Sequence, residues 1–138
     1  MREIKFRAWD KKNKRICNIE QIDFNQKYAW ISWHKTNTQR GYFKVNFNEI
    51  ELMQFVGLHD KNSKEIYEGD IVKSGYDENI NWEVYYEDAK FWLRNKLQDR
   101  EYGDMNTWDD VETRVRFEEC EVIGNIMENP ELLNVEKN

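Results

Sequence analysis

Four side chains in this 138-residue chain are of the kind that performs nucleophilic or metal chemistry: Cys17, Cys120, His34 and His59. A nucleophilic Cys needs a base within hydrogen-bond reach, and no local motif pairs a Cys with a His here. A structural zinc site needs four such ligands, usually as spaced pairs; these four are scattered singly. With no CxxC and a charged N-terminus in place of an export signal, both cysteines read as reduced thiols packed like small hydrophobes. Two acidic stretches invite a calcium reading. Residues 99–104, with Asp109 and Asp110, place Gly103 where a ligand belongs, and residues 60–65 place Lys64 at a ligand position, so both fail the EF-hand pattern. Among 27 acids nothing selects a glycosidase-like pair. Phosphate-binding glycine motifs are absent, so no cofactor and no catalytic residue is expected.

Binding chemistry has more to work with. The segment from Arg2 to Arg15 carries Lys5, Arg7, Lys11, Lys12, Lys14 and Arg15 around Trp9. Cations interleaved with an aromatic can hold a single-stranded nucleic acid by phosphate contacts and base stacking. In period-two alternation Phe6 falls on the dry face with Ile4 and Ala8, while Trp9 shares the other face with Lys5 and Arg7. Charge is divided along the chain: residues 1–50 hold 11 Lys and Arg against 5 Asp and Glu, and residues 51–138 hold 10 against 22. The basic half suits an anionic partner. The acidic half suits a decoy that occupies the nucleic-acid site of a host protein, or the two halves suit head-to-tail contact between copies. Six Trp and seven Tyr are more than so small a core hides, and Trp and Tyr anchor interfaces; Trp9, Trp30, Trp33 and Trp92 are the interface candidates. A homo-oligomer, or a complex with a host or phage protein, is the expected assembly. No apolar run is long enough to span a bilayer.

The elements that position these residues are mostly strands. Residues 4–8 alternate, a polar turn follows over 10–14, and 16–19 returns, giving an N-terminal hairpin. Residues 28–33 are aromatic and β-prone, and Phe43, Val45 and Phe47 alternate with Lys44 and Asn46. Residues 57–63 read as a loop. Residues 65–67 and 71–72 read as strands about a tight turn at Gly69. Trp82, Val84 and Tyr86 alternate, with 91–93 as a partner; 89–101 leaves room for a helical turn, and 98–110 reads as a mobile acidic loop. Strands at 111–117 and 120–126 precede Asn129 and Pro130, an N-cap and first-turn proline of a short C-terminal helix. The class is mainly β: small antiparallel sheets forming a barrel or sandwich, as one domain over 1–138, with subdomains 1–56 (basic) and 57–138 (acidic) as an internal division near Gly57.

Three segments read together as a family: REIKFRAWD at 2–10, LMQFVGLHDKNSKEIYEGDIV at 52–72 and VIGNIMENPELL at 122–133. The chain resembles the YopX family, small proteins of phages and prophages. It departs from the family pattern at Ser63, where Gly is usual, and at Met127, where an aromatic is usual. The turn at residues 68–72 also resembles the entry to the first strand of SH3-like small barrels. The resemblance implies a mainly β fold and a bacterial cytoplasm during infection or lysogeny. It implies no activity and carries over no catalytic residue.

Overall fold

The computed structural model describes residues 3–74, 80–95, 100–104 (backbone only) and 119–134. Among the described residues eleven strands run in chain order: β1 Phe6–Asp10, β2 Arg15–Asp23, β3 Tyr28–His34, β4 Arg40–Asn46, β5 Ile50–His59, β6 Glu65–Tyr67, β7 Asp70–Lys73, β8 Asn81–Glu87, β9 Lys90–Asn95, β10 Arg100–Asp104 and β11 Glu121–Asn125. Every strand pairing is antiparallel. The mainly β class read from the sequence is the class that forms. The chain groups into two compact units, Glu3–Gln54 and, for the most part, Phe55–Asn138.

In Glu3–Gln54 the sheet order is β4-β3-β2-β1-β5. The first turn is held by Asp10, whose carboxylate accepts from the backbone N–H of Lys12 (3.1 Å) and Asn13 (3.3 Å) and from the Asn13 side chain (2.8 Å). Asp23 closes the next turn in the same way through Asn25 and Gln26. These are Asx turns, the reason Asp favours such positions. Between β4 and β5 there is only a one-turn 3-10 helix, Phe47–Glu49. The two strands it joins are the opposite edges of the five. In a flat sheet those edges would lie about 19 Å apart. One 3-10 turn advances only about 8 Å from Asn46 to Ile50. The sheet must therefore curl strongly, bringing β4 toward the β5 side. Its concave face holds the core: Ala8, Cys17, Ala29, Ile31 and Ile50, with Ile19, Trp33, Val45 and Leu52 packed around them.

In the other unit the last residues of β5 pair with β6, and the remaining strands take the order β10-β9-β8-β7-β11. Its core is larger: Val56, Ile66, Val72, Ile80, Trp82, Val84, Phe91, Leu93 and Cys120. Buried Asn95 donates to the carbonyls of Asn81 (2.9 Å) and Leu133 (2.8 Å), and Asn81 donates to that of Leu132 (2.7 Å). These bonds tie down the short C-terminal helix, which is a 3-10 turn, Pro130–Leu133, with Pro at its first position. Neither sheet closes into a barrel among the described residues.

Several local expectations are corrected. Ile4 is 70% exposed, because β1 begins at Phe6 and leaves Ile4 without a strand partner; the dry face is completed by Asp10 instead. The loop expected at 57–63 is strand through His59. Gly57 (φ 94°) bends the strand without ending it, and the turn is confined to the residues after Asp60. The partner strand expected at 91–93 forms, as Lys90–Asn95, so these residues take no helical turn; it is entered by a two-residue turn with Asp88 (φ 52°) and Ala89 (φ 62°) both left-handed. The mobile loop expected at 98–110 is strand over Arg100–Asp104; its other residues, and the strand expected at 111–117, lie outside the described residues. Tyr86 is half exposed, while Tyr85 is buried beside Val84.

Candidate interaction surface

Pairing and side-chain alternation fix the two faces of the Glu3–Gln54 sheet. Ala29, Ile31 and Trp33 point into the core, so Tyr28, Trp30, Ser32 and His34 lie on the convex face. Their register partners on β4, Asn46, Lys44, Tyr42 and Arg40, share that face. Trp30 and Tyr42 stack with ring centroids 4.9 Å apart and planes 15° from parallel. Lys44 Nζ sits 4.1 Å from the centre of the Tyr28 ring. Stacking and cation–π contacts of this kind each contribute about 1 kcal/mol. They hold the aromatic side chains in place while leaving Tyr42 58% exposed. The convex face of β3 and β4 is thus an ordered aromatic surface with two cations, Arg40 and Lys44.

The concave side of the same edge is different. Trp33 packs its indole nitrogen against Gly41, where a side chain has no room. The Arg15 guanidinium lies 3.7 Å from the Trp33 ring centre, and Phe43, still 42% exposed, lines the rim. A groove of about 510 Å³ runs here between β4 (Phe43, Lys44, Val45), the β1–β2 turn (Asp10, Lys11, Lys12, Asn13) and Asn48 and Glu49.

The structure separates the residues singled out in the sequence. Trp30 lies on the aromatic convex face; Trp9, with Arg7, is on the same side of the sheet but on β1. Trp33 is on the opposite face. Trp92 belongs to the other unit, on β9, where its ring nitrogen donates to the Glu87 carbonyl (2.8 Å). The basic residues of the hairpin are likewise divided. Lys5 is 3.5 Å from Glu3, Lys11 is 3.3 Å from Glu51 and Arg15 is 3.8 Å from Asp10, on the concave side. Arg7 meets the Met53 sulfur at 3.6 Å. Lys12 and Lys14 remain exposed in the turn. Tyr42 and Phe43 escaped the sequence reading. The signal was there: two bulky aromatics adjacent on one strand cannot both face inward.

The candidate thiols are buried and the candidate imidazoles exposed. Both cysteines are free and buried. Burial pushes the Cys120 thiol up to about 12, with Glu119 and Asp60 adding to the effect. Burial also raises Cys17, helped by Asp10 and opposed by Arg15. A nucleophilic Cys needs the reverse shift. His34 and His59 are exposed, and neither contributes to the thiol shifts. Among the described residues no three His, Cys, Asp or Glu side chains gather into a metal-binding group. Asp60 is the best-bound carboxylate. It accepts backbone N–H bonds from Asn62 (2.8 Å), Lys64 (2.9 Å) and Val122 (2.9 Å). Burial alone would raise its pKa; the three N–H groups, with the Lys64 charge, outweigh burial and hold it below the usual carboxylate value. Among the described residues no helix is long and apolar enough to cross a membrane.

Comparison with known proteins places these features in a family. A family model described as YopX protein matches residues 5–134. Among solved structures, protein EF1440 from Enterococcus faecalis is similar at 26% identity and a TM-score of 0.62, with 96% of this chain and 99% of that one covered. Protein yopX from Bacillus subtilis shares the fold at 21% identity and a TM-score of 0.55, with the same coverage. No curated protein matches the chain.

Proposed function

We propose that this chain, which belongs to the YopX family, works by binding proteins, first of all copies of itself, without catalysing a reaction. The observation that carries this reading is the stacked Trp30–Tyr42 pair, held in order on the convex face while Tyr42 stays 58% exposed. An exposed, pre-ordered aromatic pair loses little entropy on docking, which is what interface anchors require. The setting we infer is the cytoplasm of a bacterium carrying a phage or prophage, as the family resemblance implies.

Light scattering after size exclusion tests the reading. A multimer that survives high salt is expected, and Tyr42→Glu, at an exposed position, is expected to dissociate it while leaving the circular dichroism spectrum unchanged. A monomer at all concentrations and salt levels overturns self-association. A multimer that dissociates in salt and ignores Tyr42→Glu points instead to attraction between the oppositely charged halves. The hairpin cations as a nucleic-acid site are the second reading. It is weakened because Lys5, Lys11 and Arg15 each have a carboxylate neighbour.

A further inference from the structure

We infer that the groove along the free edge of β4 accepts an extended acidic peptide segment of a partner protein as an added strand. This site is the backbone edge of β4 with the concave groove beside it, and it shares with the convex face proposed for self-association only the cations Arg40 and Lys44.

The backbone decides which groups are on offer. Phe47 N–H donates to the Lys27 carbonyl (3.0 Å), and Lys35 N–H donates to the Gln39 carbonyl (2.8 Å). Both pairs continue the β3–β4 register, in which Tyr28 faces Asn46 and His34 faces Arg40. Antiparallel ladders alternate hydrogen-bonded and non-hydrogen-bonded pairs. The odd-numbered residues of β4, Gly41, Phe43 and Val45, therefore bond to β3. The N–H and C=O of Tyr42 and Lys44 point away from it, along the sheet edge. Among the described residues β4 pairs with β3 alone. The next outward N–H, that of Asn46, is already taken by the Glu49 carboxylate at 2.7 Å. Two residues at the correct two-residue spacing thus present a donor and an acceptor each, the template an added strand uses.

The groove beside that edge has room for a strand, about 510 Å³, and its floor includes the apolar Phe43 and Val45. Its charge sets the chemistry of the occupant. Lys12 is exposed in its wall, Lys11 beside it is paired with Glu51 at 3.3 Å, and Lys44, on the edge strand itself, turns its charge to the convex side over Tyr28. The two acids in its wall are engaged: Asp10 is 4% exposed and closes the turn, and Glu49 holds Asn46. The whole Glu3–Gln54 segment carries 10 Lys and Arg against 6 Asp and Glu. The complementary ligand alternates small apolar residues, facing the groove floor, with acidic residues, which strand alternation turns to the convex side where Lys44 and Arg40 stand. A nucleic acid would use the lysines and leave the backbone edge unsatisfied.

The probe is a short, end-blocked, fluorescent peptide of alternating Glu and Val, added to the full chain and read by polarisation and by amide exchange. Binding is expected, with the Tyr42 and Lys44 amides gaining exchange protection while the Phe43 and Val45 amides, already bonded, change little. The same peptide N-methylated at alternate residues on its pairing edge should lose binding. The Arg40→Glu, Lys44→Glu double variant, at exposed positions, should weaken it about tenfold. Equal binding of a Lys–Val peptide or of the N-methylated peptide, protection at amides other than Tyr42 and Lys44, displacement by oligothymidylate, or no binding at low salt each overturns the inference. Self-association is read without peptide and peptide binding by protection of the Tyr42 and Lys44 amides, so a monomer that shows this protection, or a multimer that does not, separates the two proposals.

Discussion

Asp60 is where one atom's chemistry can be followed to a measurable stability. Its carboxylate is 5% exposed and closes two features at once: the turn after β5, through Asn62 and Lys64, and the approach of β11, through Val122. Asp60→Asn keeps one oxygen for Asn62 and Lys64 and turns an amide N–H toward the Val122 N–H. The loss is one charge-assisted hydrogen bond, and a buried donor is left facing a donor, about 2–3 kcal/mol in total. Asp60→Ala removes all three bonds and should cost about 4 kcal/mol, a large part of a typical total of about 5–15 kcal/mol. The pH dependence has a definite sign. The folded pKa lies below the unfolded value, so the stabilisation is complete above the unfolded pKa and is lost as pH falls through the folded one. Urea titrations followed by tryptophan fluorescence should show wild type and Asp60→Asn far apart at neutral pH. The difference should begin to shrink only below about pH 4 and close as pH falls through the lower folded pKa, where a protonated carboxyl and an amide offer the same single acceptor. A neutral-pH difference under about 0.5 kcal/mol, or one unchanged into acid, would refute this account of the bond set.

Four further outcomes are expected. Ala89→Gly should stabilise the chain by about 0.5–1 kcal/mol, seen as a raised Tm, because Ala89 sits at φ 62° in the two-residue turn where Gly carries no Cβ penalty. Ser63→Gly should act in the same direction and by a similar amount, since Ser63 has φ 63°; the glycine usual in the family at this position thereby gains its physical reason. Gly41→Ala should destabilise by about 1–3 kcal/mol and shift Trp fluorescence, because a Cβ there would overlap the Trp33 indole nitrogen and come within 2.6 Å of the Phe43 ring. Neither Cys17 nor Cys120 should react with a thiol reagent in the native state at neutral pH, and both should react at the rate of unfolding. Fast native labelling would contradict their burial and their raised pKa values.

The hairpin of β1 and β2 was legible because its signals are local: alternation on each side of a turn whose Asp10 caps its own backbone. The alternation of Phe43 and Val45 gave β4 for the same reason. Other features needed information that a linear sequence does not hold. Gly57 reads as a loop former, yet positive φ serves a bent strand as well as a turn, and pairing with β6 decided the matter. Ala89 gives no turn signal at all, so β9 was left open between strand and helix. The aromatic surface was half visible. Trp30 was named, but its partner Tyr42 gained its meaning from being on the edge strand, and edge position is a tertiary fact. The hairpin cations were read as one patch. Arg15 follows the turn and falls on the opposite face from Arg7, which divides them.

The two units repeat one strand order, a four-strand meander whose fifth strand returns beside the first, although no sequence repeat joins them. What differs is what fills each. Ile66, Ile71, Ile80, Trp82, Phe91 and Leu93 are all buried in the Phe55–Asn138 unit, whereas the fully enclosed core of Glu3–Gln54 is built around Ala8, Cys17 and Ala29 with only two isoleucines. Small residues at the centre leave no place there for large ones. Phe24 and Tyr42 are accordingly more than half exposed and Phe43 nearly so, and Trp30 stacks on the outside rather than entering the core. A sheet that needed only stability would gain about 1.5–3 kcal/mol from each such side chain it buried. Keeping Tyr42 outward, ordered by stacking on Trp30 and flanked by Lys44 and Arg40, forgoes that gain on the strand whose backbone edge is also unpaired among the described residues. This coincidence supports reading the basic unit as the binding half of the molecule and the acidic unit as the one in which the described Trp82, Tyr85 and Phe91 go into its own core.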